Sequence, residues 1–362
     1  MITTVEEKAQ EPQAFCAIDT TSARFQLTPE EAVQCSTLLA ELAETYGSSE
    51  HSDFHRSAEI IAHELPRRLR QALTDFKALE PSRAVIIVSG LDITDEKIGR
   101  TPPHWKGSEV ESRAVEEEMF LVLLGSLLGK CIGWATQQDG RIVHDILPIE
   151  AHKGEQLGSG SEQVLWWHTE DAFHPYRGDY LGMACLRNPD GVSTTFATLE
   201  GIDMPKEQWK LLFEEHFTIR PDESHLVKNK GADRVVDGEL ADAYDEINRM
   251  NSAPEKIAVL FGDPNRPYMR LDPYFMDIAS IDSPEARAAL EVFIEAVGEK
   301  LGDLVLEQGD FCFIDNFQAV HGRRPFSARF DGTDRWMKRV NITRDLRKSR
   351  SQRESADSPI IL

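Results

Sequence analysis

The sequence predicts an α+β protein built around a double-stranded β-helix, a jelly-roll core flanked by helices, and three observations carry that prediction. Helical periodicity dominates the first third of the chain. After Trp134 the texture changes to short β-rich runs separated by Gly, Pro, Asn and Asp clusters. No internal repeat or low-complexity tract interrupts either pattern, so a single domain over residues 25–350 accounts for both.

Residues 1–24 are polar and aperiodic and read as a mobile N-terminal tail, with 351–362 as a C-terminal tail. Thr28-Pro29-Glu30-Glu31 then combines an N-cap threonine, a proline at the first helical position and a glutamate at the third. Val33, Leu38, Leu39 and Leu42 follow, which marks a helix start. A second helix is expected over 58–79, bent at Pro66, and a third over 110–128 with a long apolar face. Between them Ala84–Val88 reads as a buried strand. Strands are expected at 141–147, 180–186, 194–199, 257–261, 268–271, 311–314 and 336–342, and helices near 206–216 and 284–301. The stretch 221–238 is charged and aperiodic, a surface loop of the length that lids over binding sites have.

With 362 residues, 41% hydrophobic and 28% charged, the chain can bury a substantial core. No run approaches the roughly 20 apolar residues of a membrane span, and MITTVEEKAQEPQ lacks the basic and apolar regions of a signal peptide. A cytoplasmic protein without a membrane partner is therefore expected. Five cysteines without CxxC spacing indicate neither a disulfide framework nor a zinc ribbon. A formal charge of −22 repels phosphate backbones, which argues against nucleic acid, and gathers cationic small molecules.

The chemistry-bearing stretch is Trp166-Trp167-His168-Thr169-Glu170-Asp171. Alternate residues of a strand share a face, so His168 and Glu170 can reach one ion while Thr169 points away. His321, closely following a strand-like run and preceding a glycine in FIDNFQAVHGR, is the candidate third ligand. Two histidines and a carboxylate on one face of an ion leave positions open for a co-substrate and dioxygen, as in non-haem Fe(II) oxygenases. Arg335 and Arg339 lie 14 and 18 residues beyond, and two arginines facing a barrel interior need anions. The plainer alternatives are that His168 is a core histidine and that the arginines face solvent from an edge strand.

Four blocks, WHTEDAFHPYRGDYLGMACLRNPDGVSTT, RPDESHLV, FIDNFQAVHGRRPF and RFDGTDRWMKRVNITRDLRKSR, resemble the clavaminate synthase-like branch of Fe(II)/2-oxoglutarate oxygenases, and in it the amino-acid β-hydroxylases. The resemblance spans about Phe25 to Arg350. It implies Fe(II) on His168, Glu170 and His321, and 2-oxoglutarate and O2 as co-substrates. Arg335 would hold the distal carboxylate of 2-oxoglutarate, helped by Thr195. Arg339 would pair with the substrate α-carboxylate, Gln137 and the free oxygen of Glu170 with its α-ammonium, and Asp222 would close over it from the lid. Oxidative decarboxylation would release succinate and CO2 as the substrate is hydroxylated.

Arginine hydroxylases of this branch carry an Asp-x-Asp pair after the strand that reads PYMRL here, whereas this chain has Asp272-Pro273-Tyr274. One carboxylate and a phenol suit a compact ammonium better than a guanidinium fork. The expected substrate is therefore a free basic L-amino acid, L-lysine at C3, with arginine C3 or lysine C4 as alternatives. A zinc hydrolase and a non-catalytic jelly-roll binding protein remain as other classes.

Overall fold

The computed structural model describes residues 15–17, 22–78, 84–106, 113–230 and 235–362. The first helical layer contains α1 (Pro29–Tyr46), α2 (Ser52–Ile61), α3 (Arg67–Ala78), the short α4 (Asp95–Ile98) and α5 (Val115–Leu128). Threonine at position 28 caps α1, accepting from Glu31 N while the Glu31 carboxylate takes Thr28 N, the reciprocal capping box the sequence announced. The expected bend at Pro66 is a full break, because a 3₁₀ turn at Ala62–Glu64 separates α2 from α3. α5 is buried nearly all round, since it lies between the other helices and the sheet beneath.

The strands are β1 (Phe15–Ala17), β2 (Ser22–Gln26), β3 (Val85–Ser89), β4 (Lys130–Trp134), β5 (His144–Ile146), β6 (Leu165–His168), β7 (Tyr180–Arg187) and β8 (Thr194–Thr198). They continue with β9 (Leu260–Asp263), β10 (Arg266–Met269), β11 (Gly302–Leu304), β12 (Phe311–Asp315), β13 (Ala319–Arg323), β14 (Trp336–Thr343) and β15 (Ile360–Ile361). A large mixed sheet runs β1-β2-β3-β12-β7-β14-β4-β15 with β5 also on β14, and a smaller sheet runs β11-β8-β13-β6. Between the sheets Ile87, Leu181, Met183 and Ile314 from the large one meet Phe196 and Ala319 from the small one. The outer face of the large sheet packs on α1–α3 and α5. The outer face of the small sheet, with Ala197 and Val320, is covered by α8 (Pro284–Glu299) and α6 (Lys206–Leu211). Both faces of β7 and β14 are thus covered, so every residue of β7 and every residue of β14 except the half-buried Arg339 is buried.

Three expectations change. Of the 1–24 tail, residues 1–14 and 18–21 lie outside the described residues, but Ser22–Gln26 is a strand paired in parallel with β3. The 351–362 stretch is no free tail, because β15 adds in parallel to β4 and Ile361 is buried. The lid stretch ends in structure: 3₁₀ turns occupy Glu223–His225 and Val227–Asn229, residues 231–234 lie outside the described set, and α7 (Gly238–Ser252) begins where the loop was expected to stop. That helix escaped the sequence reading because its apolar stripe is only Leu240, Ala243, Tyr244 and Ile247. Among the described residues no helix is long and apolar enough to cross a membrane.

Candidate active site

The small sheet builds the centre of the site. β13 pairs antiparallel with β6 so that His321 stands opposite His168, their rings 4.7 Å apart. The glycine after His321 permits this approach: a Cβ at Gly322 would lie 2.6 Å from the Leu165 carbonyl oxygen. Glu170 follows in the turn after β6, with Oε2 3.6 Å from His168 Nε2 and 3.2 Å from His321 Nε2. One ligand atom from each of the three residues falls within 4.8 Å of the others. Neighbouring ligands of an octahedral ion with bonds of about 2.1 Å stand about 3.0 Å apart, so the set fits one face of a single ion.

His168 Nδ1 lies 2.7 Å from the Trp166 carbonyl, which makes Nδ1 the donor and leaves Nε2 for a metal. Burial opposes protonation of His168, but with no ion bound the hydrogen bond to Glu170 and the charges of Asp272 and Glu170 push it up to about 9. Burial likewise opposes ionisation of Glu170, yet Arg339 and the two imidazoles hold its carboxyl well below the usual range. The imidazolium must therefore lose a proton when a metal enters. Apparent Fe(II) affinity, measured by anaerobic equilibrium dialysis, is expected to fall about tenfold per pH unit as pH drops from 8 to 6, because one proton competes for the site.

Glu170 is aimed through its backbone. Asn316 accepts from Glu170 N at 2.6 Å and donates to the Glu170 and Gly178 carbonyls at 3.0 and 2.9 Å. Asn316 is buried and lies inside the FIDNFQ block, but nothing in its local pattern marks it as a support for a residue so far away in the chain. Asn316→Ala is expected to weaken iron binding about 10- to 100-fold, the usual cost of losing an outer partner of a metal ligand, read by the same dialysis.

The alternation on β14 sorts its cations. Arg339 faces the cavity, ion-paired with Glu170 Oε1, 3.2 Å from Gln137 Oε1 and 2.8 Å from His144 Nδ1. Burial and the neighbouring Arg339 charge hold His144 far below the usual imidazole range, so it stays neutral and accepts from Arg339. His144 escaped the sequence reading. Lys338 points the other way, fully buried, to Glu118 of α5 at 2.7 Å and Asp145 at 2.5 Å. Arg335, immediately before β14, lines the cavity and is 94% buried in the sense that 6% of its surface is exposed, with its Nε unpartnered. Among the described residues no carboxylate lies within ion-pairing distance of it. A buried guanidinium in that condition fits an external carboxylate.

The remaining predicted residues divide. Gln137, Asp222, Asp272 and Tyr274 line the same cavity as the triad. Thr195 does not: on β8 the side chains of Thr194 and Phe196 turn inward, while Thr195 pairs with Gly322 on the outward face, and it is Thr194 that lines the cavity. Tyr274 is 48% exposed at the cavity edge. Asp272 is buried, and its Oδ1 accepts from the backbone N–H groups of Tyr274 and Phe275, both at 3.2 Å. Burial, aided by the charge of Asp222, pushes its carboxyl up to about 6.

Two imidazoles and one carboxylate on one face of an ion, set between two facing sheets beside an unpaired buried arginine, define a non-haem iron oxygenase. Residues 55–341 match the taurine catabolism dioxygenase TauD, TfdA family, and the chain belongs to that family. It is a non-haem iron, 2-oxoglutarate-dependent oxygenase, which displaces the zinc-hydrolase and non-catalytic readings. The chain is 45% identical over 342 residues to an L-ornithine/L-arginine 3-hydroxylase of Catenulispora acidiphila, covering 93% of this chain and 99% of the relative. It is 42% identical over 338 residues to an enduracididine beta-hydroxylase of Streptomyces hygroscopicus, covering 92% and 98%. The crystal structure of the non-heme iron oxygenase OrfP with Fe, succinate and (3S)-hydroxy-L-Arg superposes with a TM-score of 0.88 at 43% identity, over 94% of this chain and 99% of that one.

Proposed function

We propose that the protein hydroxylates a free basic L-amino acid at C3, preferring the guanidinium side chain of arginine, with 2-oxoglutarate converted to succinate and CO2. The observation that carries the side-chain preference is the pair of carboxylates, Asp272 and Asp222, that line the same cavity as the triad. Position 274, where arginine hydroxylases of this branch carry the second aspartate, is a tyrosine here, which on local sequence alone favours lysine. The fold supports a different source, the 221–230 segment, and with it a fork suited to a guanidinium. The names of the relatives support the arginine alternative over lysine in the same direction.

In this reading His168, Glu170 and His321 hold Fe(II), which when bound supplies the oxidation. Arg335 takes the distal carboxylate of 2-oxoglutarate. Arg339 takes the substrate α-carboxylate, with Gln137 and Glu170 at the α-ammonium. Clamping both ends of the amino-acid backbone beside the triad presents the adjacent carbon, which supports C3 as the target. The two facing sheets then serve as the halves of a double-stranded β-helix whose open end holds the triad.

Fe(II)-reconstituted protein with 2-oxoglutarate, opened to air with arginine, ornithine or lysine, tests the reading by succinate yield and by the mass of each amino acid. Arginine is expected to gain one oxygen most efficiently. Asp272→Asn is expected to lower kcat/KM for that substrate about 10- to 100-fold, the worth of a hydrogen bond to a charged group. Oxygen on lysine alone would sink the side-chain assignment.

A further inference from the structure

The segment that carries Asp222 and Ser224 over the cavity is pinned by a residue that faces away from it. His225 is fully buried, with Nδ1 2.8 Å from Thr136 Oγ1 and Nε2 3.1 Å from Asp171 Oδ1. Its ring lies edge-on to Phe173 at 4.9 Å and Trp134 at 5.5 Å. Asp171 is the residue after Glu170 and holds a left-handed φ of 49°, fixed from its other oxygen by Trp134 Nε1 at 2.7 Å and Asn341 Nδ2 at 2.9 Å. On the cavity side, Gln137 Nε2 donates to Ser224 Oγ at 2.5 Å, and Gln137 Oε1 accepts from Arg339, which pairs with Glu170.

These contacts close a ring: Ser224 to Gln137, Gln137 to Arg339, Arg339 to Glu170, Glu170 through one peptide to Asp171, Asp171 to His225, and His225 back to Ser224 through one peptide. We propose that His225 is a positioning residue that closes this ring, so that the 221–230 segment sets Asp222 and Ser224 over the substrate only when Glu170, Gln137 and Arg339 are in their working places. The consequence is coupling. Without His225 the amino-acid end of the cavity loses its cover while the iron ligands and Arg335 stay where β6, β13 and β14 put them.

The inference rests on the proposed amino-acid hydroxylation, and the wild-type enzyme, run alongside, shows whether that reading holds. The variants are His225→Ala, and His225→Gln, whose amide reaches toward Asp171 as Nε2 does. For His225→Ala the KM of the amino acid is expected to rise about tenfold, the effect of removing a buried, doubly hydrogen-bonded group. Succinate formed per hydroxylated amino acid should rise above the wild-type ratio, and trypsin should cut faster at Lys228 and Lys230. Iron content and 2-oxoglutarate binding, measured by dialysis and by calorimetry without amino acid, should stay at wild-type levels, and His225→Gln should recover most of the KM and the ratio. A wild-type KM and ratio in His225→Ala would overturn the proposal. So would a parallel loss of iron, 2-oxoglutarate and amino-acid binding that His225→Gln does not relieve, which is what a merely structural histidine produces.

Discussion

Glu170→Ala is expected to abolish hydroxylation and to lower Fe(II) affinity by more than the about 100-fold that losing an outer partner of a ligand costs. The reason is that one carboxylate does two things. Oε2 faces both imidazoles, at 3.6 and 3.2 Å, and would supply the anionic ligand of the proposed triad. Oε1 pairs with Arg339, the residue proposed to hold the substrate α-carboxylate. Removing the side chain therefore takes a ligand from the metal and the partner from a partly buried guanidinium in one step. It also takes away the main group that keeps His168 protonated in the absence of metal, so His168 should titrate lower in this variant. Metal analysis after anaerobic loading, with the iron-dependent rise in melting temperature, reads the first effect, since a ligand that binds only the folded state stabilises it. Retention of wild-type iron content would show that the triad is assigned wrongly.

The largest expected effect on stability lies on β14, on the face opposite Arg339. Lys338 is fully buried, and its ammonium sits 2.7 Å from Glu118 and 2.5 Å from Asp145. Burial alone would lower its pKa, but Glu118 and Asp145 together raise it, so the lysine is charged inside the protein. Lys338→Met keeps the volume and removes the charge, leaving two carboxylates in a dry interface between α5 and the large sheet. The expected loss is about 3–5 kcal/mol of unfolding free energy, measured by chemical denaturation. Asp145 retains the Arg141 guanidinium at 3.2 Å and the Trp336 indole at 2.7 Å, whereas Glu118 retains the neutral hydroxyl of Ser49, so the larger part of the penalty should fall on Glu118. Lys338→Met/Glu118→Gln is therefore expected to recover a large part of the loss. A loss below about 1 kcal/mol in the single variant would show that the network is solvated and behaves like a surface pair.

These two residues mark how far the sequence could be read. The clustering of His168, Glu170 and His321 was legible because strand periodicity puts His168 and Glu170 on one face and because His321 stands beside a glycine that a close strand pairing requires. That Arg335 and Arg339 both line the cavity was legible from the same alternation. Thr195 was not, since adjacent threonines differ by which face they take and only the pairing of β8 with β13 decides that. Lys338, with ordinary charged neighbours in sequence, carries no sign that it is buried, because its partners come from α5 and β5. His225 and Asn316 likewise draw their meaning from contacts across 54 and 146 residues of chain.

What the sequence by itself determined is local and periodic: the capped first helix, the run of short strands, the two histidines and the carboxylate, and with them the oxygenase class. What only the tertiary structure decided is which carboxylates share the cavity. Asp222 lies 50 residues before Asp272, and no spacing rule joins a loop aspartate to a turn aspartate. Their approach depends on how the 221–230 segment is seated against Trp134 and Phe173, a matter of long-range packing. The proposed substrate preference rests on that packing, because a guanidinium fork and an ammonium differ in how many carboxylates they need and in where those must stand.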